Sequence, residues 1–277
     1  MSFIKQTHFI FPRSQAYHSE WVIESASGGA NSILLVEWLT AALELKPGMK
    51  ILDLGCGRAA SSVFLAREYG VTVWATDLWF SPSENLQRIR NAGFAENIFP
   101  IHSDARNLPY ADDFFDAILS IDAFPYFGTD DHYLNYLARF VKPNGIIAIA
   151  GSGFLQEIES TIPSQLSELL AAEPSMLSMH SSPWWRRHWE KAGIVDVELA
   201  DSMPDGWQLW LEWLETIAPD NRMEIEAVRT DVGRYLGYNR IVSRRRADAC
   251  LNPPIVAIPA NYTRKPLLRD NLSSTLR

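Results

Sequence analysis

Four aspartates and a pair of glycines hold the positions in this chain from which chemistry can be read. Asp53 closes a short apolar run, and Gly55 and Gly57 follow it at once with Cys56 between them. Asp77 lies about 20 residues beyond the second glycine, where an acid that holds a ribose belongs. Asp104 and Asp122 come after two further apolar runs. A glycine turn after a buried strand lets the backbone bend sharply and lets a ligand come close, because no Cβ stands in the way. Gly55, Gly57 and Ala60 also satisfy the dinucleotide pattern G-x-G-x-x-[G/A], which leaves a nicotinamide cofactor open. Asp53 points elsewhere: a carboxylate just ahead of the glycines repels a pyrophosphate and attracts an ammonium or sulfonium group. Several acids along one sheet edge suit a cationic ligand that carries a ribose and an adenine.

Acids so far apart in sequence converge only if strand ends bring them together. Strands are expected at 50–54, 72–76, 98–102, 117–121 and 146–150, with helices at 59–69, 82–92 and 131–140 between them. A helix over 30–45, with Ile33, Leu34, Val36, Leu39 and Leu43 at helical spacing, precedes the first strand. This alternation predicts an α/β fold, a Rossmann-like sheet that is mostly parallel with helices on both faces. The second half is less regular. Helices are expected at 155–172, 184–192, 207–217 and 223–235, and strands at 195–199 and 240–244. The expected organisation is an N-terminal arm or lid over 1–29, set apart from the core, and a sheet domain over 30–246. Helical cap insertions fall at about 153–192 and 203–238, and a C-terminal tail covers 247–277.

Composition narrows the classes of function. The 277 residues carry a net charge of −8, which gives no electrostatic footprint for nucleic acid or an anionic membrane. The basic run at Arg244, Arg245 and Arg246 is local. Two cysteines, Cys56 and Cys250, exclude a Cys-rich zinc site and speak against a disulfide framework. No apolar run reaches the ~20 residues of a membrane span, and the start of the chain lacks the pattern of a signal peptide. The expectation is a cytoplasmic protein. No histidine spacing supports a metal.

The ordered motifs bear a specific resemblance. Ile51-Leu52-Asp53-Leu54-Gly55-Cys56-Gly57 resembles the first motif of the class I S-adenosylmethionine-dependent methyltransferases. Trp74-Ala75-Thr76-Asp77 is similar to their second-strand acid, and Ser103-Asp104-Ala105 to their adenine-contacting acid. The run Phe114 to Asp122 resembles their fourth-strand motif, and Val141-Lys142-Pro143-Asn144-Gly145 their turn into strand five. The match covers roughly residues 47–151, in order and at the usual spacing; the wider group includes small-molecule methyltransferases and cyclopropane-fatty-acid-synthase-like proteins. The resemblance implies S-adenosylmethionine as cofactor and assigns roles. Gly55, Cys56 and Gly57 form the turn under the methionine part, and Asp53 anchors that part directly or through water. Asp77 accepts the ribose hydroxyls, while Leu78 and Trp79 flank the adenine. Asp104 accepts from the adenine amino group, the Ala105 amide donates to the ring, and Asp122 lies beside the methyl donor.

The methyl acceptor is expected to be a small molecule methylated on nitrogen, oxygen or carbon. Some N-methyltransferases carry a histidine four residues after the acid that Asp122 resembles; Tyr126 stands there in this chain and is a candidate to orient the acceptor. His18 in the arm and His180 at the cap edge are candidates for a base. Trp184, Trp185, Trp189, Trp207, Trp210 and Trp213 are expected to pack the cap, with one or two left to line the acceptor pocket. The apolar helix over 30–45 could serve a homo-oligomer interface as readily as a lid. Competing functions are a non-catalytic S-adenosylmethionine-binding or sensing protein and an NAD-dependent oxidoreductase.

Overall fold

The computed structural model describes residues 11–251. The tail expected over 247–277 lies largely outside the described residues, as do the first ten residues of the arm.

Seven strands form one sheet: β1 (Lys50–Leu54), β2 (Thr72–Asp77), β3 (Ile98–His102), β4 (Phe115–Ile121), β5 (Val141–Phe154), β6 (Val195–Ser202) and β7 (Leu236–Arg245), in the spatial order 3-2-1-4-5-7-6. The pairs from β3 through β5 are parallel, and β7 enters antiparallel between β5 and β6. The Rossmann-like α/β expectation holds. The order reverses where β1 meets both β2 and β4, and such a reversal opens a crevice at the carboxyl ends of those strands.

Helices α1 (Ser19–Glu24), α2 (Ser32–Thr40), α3 (Ala60–Tyr69) and α4 (Pro82–Asn91) belong to the first half. Helices α5 (Tyr133–Ala138), α6 (Ser167–Ala172), α7 (Ser182–Glu190), α8 (Gly206–Ile217) and α9 (Arg222–Asp231) belong to the second. Successive strand residues face opposite sides, so β1 feeds two cores. Ile51 joins the core under α2 and α3, while Leu52 and Leu54 join the one that holds Leu134 and Leu137 of α5 and Trp185 and Trp189 of α7.

Four expectations differ from the observed elements. The helix over 30–45 ends at Thr40, whose hydroxyl bonds back to the Val36 and Glu37 carbonyls; the chain then tightens into i→i+3 bonds. The helix over 155–172 survives only as a 3-10 turn at Ser164–Leu166 and α6, because Pro163 fixes its own φ and drives Ile162 out of the helical region. The turn at Lys142–Gly145 sits inside β5 as an irregularity, with Asn144 at φ +64°. The described part of the arm belongs to the core: Phe11 and Tyr17 are 3% and 8% exposed. Buried Glu37 of α2 accepts from the Arg13 and Ser14 amides and the Ser14 hydroxyl, and Tyr17 bonds Glu68 of α3.

Candidate active site

The cleft at the switch point is walled by the ends of β1, β2 and β4 together with the Ser27–Ala30 stretch of the arm. The turn after β1 is built tightly. Gly57 has φ +54°, and a Cβ there would stand 2.2 Å from the Ser27 hydroxyl oxygen. A Cβ on Gly55, at φ +76°, would stand 2.4 Å from the Ala123 methyl. Only glycine lets the arm and the β4 loop close on this turn. Buried Asn85 of α4 donates to the Gly57 carbonyl at 2.9 Å and holds it from behind.

Asp77 ends β2 in the cleft and is almost fully buried. Its carboxylate accepts from the amides of Gly57 (2.8 Å), Trp79 (2.7 Å) and Phe80 (3.0 Å). An ionised carboxylate offers about four acceptor positions, so these bonds leave room for about one further donor. Asp77 therefore both shapes the cleft and presents a remaining acceptor to a ligand hydroxyl.

Asp122 is in the left-handed region, at φ +54°, which aspartate tolerates better than most residues. Its carboxylate accepts from the Ala30 amide of the arm and the Ser152 amide of β5, each at 2.8 Å. Burial raises its pKa, and the two amides oppose that shift. Asp122 borders the cleft, but its oxygens are committed to a clamp between arm and sheet. Gly29 makes the clamp possible, since a Cβ there would meet an Asp122 oxygen at 2.2 Å.

Asp104 borders the cleft from the loop after β3, and its carboxylate is bound by the Arg106 amide and guanidinium. That guanidinium holds Asp104 below the usual carboxylate range. Ala105 also borders the cleft, and its carbonyl accepts the buried Tyr133 hydroxyl. Leu78 and Trp79 are exposed at the rim, Trp79 at 70%. Tyr126, on the 3-10 turn Phe124–Tyr126, meets Trp79 edge-on with ring centres 5.3 Å apart, so these two aromatics flank the mouth. The Cys56 thiol is buried and pushed well up by that burial, which leaves it inert as a nucleophile.

Three expected site residues are not among the described residues that border the cleft. Asp53 is fully buried behind the turn, where one oxygen accepts from the Ser61 and Ser62 hydroxyls of α3, each at 2.6 Å. Its other oxygen has no partner, and burial pushes its pKa up to about 6 against the two serine hydrogen bonds. Asp53 reaches the cleft wall only through Ser61, which does border it; of the two placements expected, direct or through water, the direct one is absent from the described wall. His18 stands just ahead of α1, outside the cleft wall. His180 is held by Glu157 at 2.9 Å and stacked on Trp184 with ring centres 3.6 Å apart, which commits it to the α7 side. No histidine borders the cleft among the described residues.

The six second-half tryptophans are likewise absent from the described cleft wall. Trp185, Trp189 and Trp210 are buried in the two cores. The cleft takes its aromatics from Trp79, Phe80, Tyr126 and Phe127 instead. The arm residues Ser27–Ala30 and Ser61 have site positions that sequence reasoning missed; the pair Gly28-Gly29 was the one local signal for them. Among the described residues no group of His, Cys, Asp and Glu could hold a metal ion, and no helix is long and apolar enough to cross a membrane.

The residues present fit an adenosyl cofactor: a cradle that a Cβ would fill at Gly57 and a buried acid with a spare acceptor at Asp77. Comparison with known proteins agrees. A family model described as a methyltransferase domain matches residues 52–149. The methyltransferase GfsG of Streptomyces halstedii is 30% identical over 171 residues, which are 60% of this chain and 60% of that protein. The chain thus spans less than two thirds of that relative. The 27-O-demethylrifamycin SV methyltransferase of Amycolatopsis mediterranei is 23% identical over 244 residues, 83% of this chain and 89% of that protein. In structure, a putative sarcosine dimethylglycine methyltransferase from Galdieria sulphuraria superposes with a TM-score of 0.63 at 24% identity, over 76% of this chain and 85% of that one. Residues 52–149 thus resemble a methyltransferase domain, set in a fold that the chain shares with a solved methyltransferase structure.

Proposed function

We propose that this chain transfers a methyl group from S-adenosylmethionine to a small-molecule acceptor, on nitrogen, oxygen or carbon. The observation that carries the reading is the cleft itself: the glycine turn, Asp77 and Asp104–Ala105 meet at one sheet edge under a clamped arm. When bound, the cofactor supplies a methyl group on a sulfonium, open to in-line displacement. The protein's work is then to position the acceptor and keep water out.

Gly55 and Gly57 let the backbone pass under the methionine part. Asp77 gives its remaining acceptor position to a ribose hydroxyl, and Leu78 and Trp79 flank the adenine. Asp104 and the Ala105 amide read the adenine edge. Asp122 locks Ala30, which holds the arm over the cleft and excludes water. Tyr126, half exposed at the mouth, orients the acceptor. Neither His18 nor His180 is among the described residues that wall the cleft, so neither is assigned as the base.

The reading takes the setting as cytoplasmic, supported by the free thiols of Cys56 and Cys250. It takes no nucleic acid as acceptor, supported by the net charge of −8. Calorimetry with S-adenosylhomocysteine on the wild type and Asp77→Ala tests it. The expected result is binding by the wild type and a loss of about tenfold or more in the variant, as a charged hydrogen bond implies. Absence of binding, or equal affinity in both, sinks the proposal, and a thermal shift with NAD instead would favour an oxidoreductase.

A further inference from the structure

Beside the cleft wall, on the side of α8 and α9, lies a second set of polar groups that the cofactor does not use. Tyr238 of β7 is buried, and its hydroxyl has no hydrogen-bond partner. A buried donor-acceptor left unmade is costly, and such a group in a native fold calls for an explanation. Its position is set by a short chain of contacts. Tyr238 faces Ser152 across the β5–β7 ladder, and the Ser152 amide bonds Asp122 at 2.8 Å. On the other side the Tyr238 ring stacks on Trp210 with centres 5.8 Å apart, and the Trp210 indole N–H donates to Glu224 Oε1 at 3.1 Å.

The field at this place has one sign. The charges that act on the Tyr238 hydroxyl are Asp122 and Glu224, and those that act on the Tyr126 hydroxyl are Asp122, Glu173 and Glu224. No basic side chain is among them. Other acids of the chain are paired with cations: Asp201 with Arg240, Glu198 with Arg244, Asp116 with Lys142. Negative charge gathered around an orphaned hydroxyl, with no basic partner for it among the described residues, favours a cationic guest.

Resting on the methyltransferase reading, we propose that the acceptor is a cationic amine, held by Glu224, Tyr238 and Tyr126 beside the cofactor cleft, with the Glu224 carboxylate as its proton acceptor. The ammonium N–H is donated to the Tyr238 oxygen and to Glu224. One proton passes to Glu224, and the nitrogen lone pair forms the new bond to the methyl carbon. The carbon–sulfur bond breaks with its electron pair left on sulfur as a thioether, and the product leaves as an N-methylammonium. Burial, Asp122 and Glu173 raise the Glu224 pKa while Trp210 and Asn221 oppose, a setting that favours a base over a permanently ionised surface acid. It also accounts for a cleft wall without a histidine.

Glu224 has a local duty as well: it stands in the first turn of α9, where the Asn221 side chain accepts its amide and donates to its Oε2. Glu224→Gln keeps a side chain suited to that place and removes the charge alone. The full chain, saturated with S-adenosylhomocysteine, is titrated with hexylamine and phenethylamine, each paired with the alcohol of the same skeleton. Each amine is expected to bind at least tenfold tighter than its alcohol. In Glu224→Gln that preference should vanish with S-adenosylhomocysteine affinity unchanged. In Tyr238→Phe amine affinity should fall about threefold. Alcohols binding as well as amines, or an amine preference intact in Glu224→Gln, would overturn the inference and leave methyl transfer standing. No binding of S-adenosylhomocysteine would fail the parent reading first.

Discussion

The carboxylates that border the cofactor cleft and the buried hydroxyl of Tyr238 beside it are treated in opposite ways. Around the glycine turn the carboxylates that border the cleft are bound to backbone amides: three for Asp77, two for Asp122. Around Tyr238 a buried hydroxyl is left without a partner among the described residues, and the acids Asp122 and Glu224 act on it. A satisfied carboxylate stiffens a site before any ligand arrives, while an orphaned polar group is an interaction held open for one. The first arrangement fits a cofactor whose shape is fixed. The second fits the amine acceptor proposed above.

Substitutions can break this contrast, and the largest effect is expected at the turn. Gly57→Val should lose S-adenosylhomocysteine affinity about a hundredfold and destabilise the fold by about 3 kcal/mol, from a left-handed φ and a methyl-sized clash with Ser27. Calorimetry and urea unfolding would read both. Asp122→Asn comes next, at about 2–4 kcal/mol, because one of the two amides would face an NH₂ group instead of an oxygen. Limited proteolysis should then cut the arm between residues 13 and 30 faster. An arm equally protected in that variant would remove the clamp from the description.

Asp53 gives a pH signature that separates a buried acid from the exposed ones. Its pKa is up to about 6 in the folded chain against 3.8 for the free group. The native state therefore holds a proton that the unfolded chain has released. Stability falls as pH rises from about 4 to about 6, by about 3 kcal/mol from this group, and the loss is complete above that window. The thermal midpoint of the wild type should drop across this range more steeply than that of Asp53→Asn. Parallel curves would place the acid in a wetter environment than the structure gives it. The smallest effect is expected at Tyr238→Phe, within about 0.5 kcal/mol of wild type, since no hydrogen bond is lost. A loss of about 2 kcal/mol there would show that the hydroxyl has a structural partner, and the contrast would fail.

Much of the first half was legible from local pattern. The strand over 50–54, the glycines after it and the acid ending β2 fall where the sequence places them, because strand period, turn chemistry and helix start are all set within a few residues. Legibility fell off where a side chain's duty depends on a distant partner. Nothing near Asp122 shows that its oxygens are taken by amides 92 and 30 residues away. Asp53 shows the same limit: its place before the glycines was readable, its withdrawal behind Ser61 was not. Most of the second-half tryptophans pack as their spacing predicts, but whether one of them lines a pocket was not legible, since an apolar helix face looks alike whether it covers a core or a ligand.

The sequence by itself determined the sheet, the turn and the class of cofactor, since these follow from short-range pattern repeated in a fixed order. The tertiary structure alone decided which acids remain free to bind, how the arm closes over the cleft, and which second-half residues stand beside it. Those depend on long-range hydrogen bonds and on burial, and neither quantity is carried by any one stretch of chain.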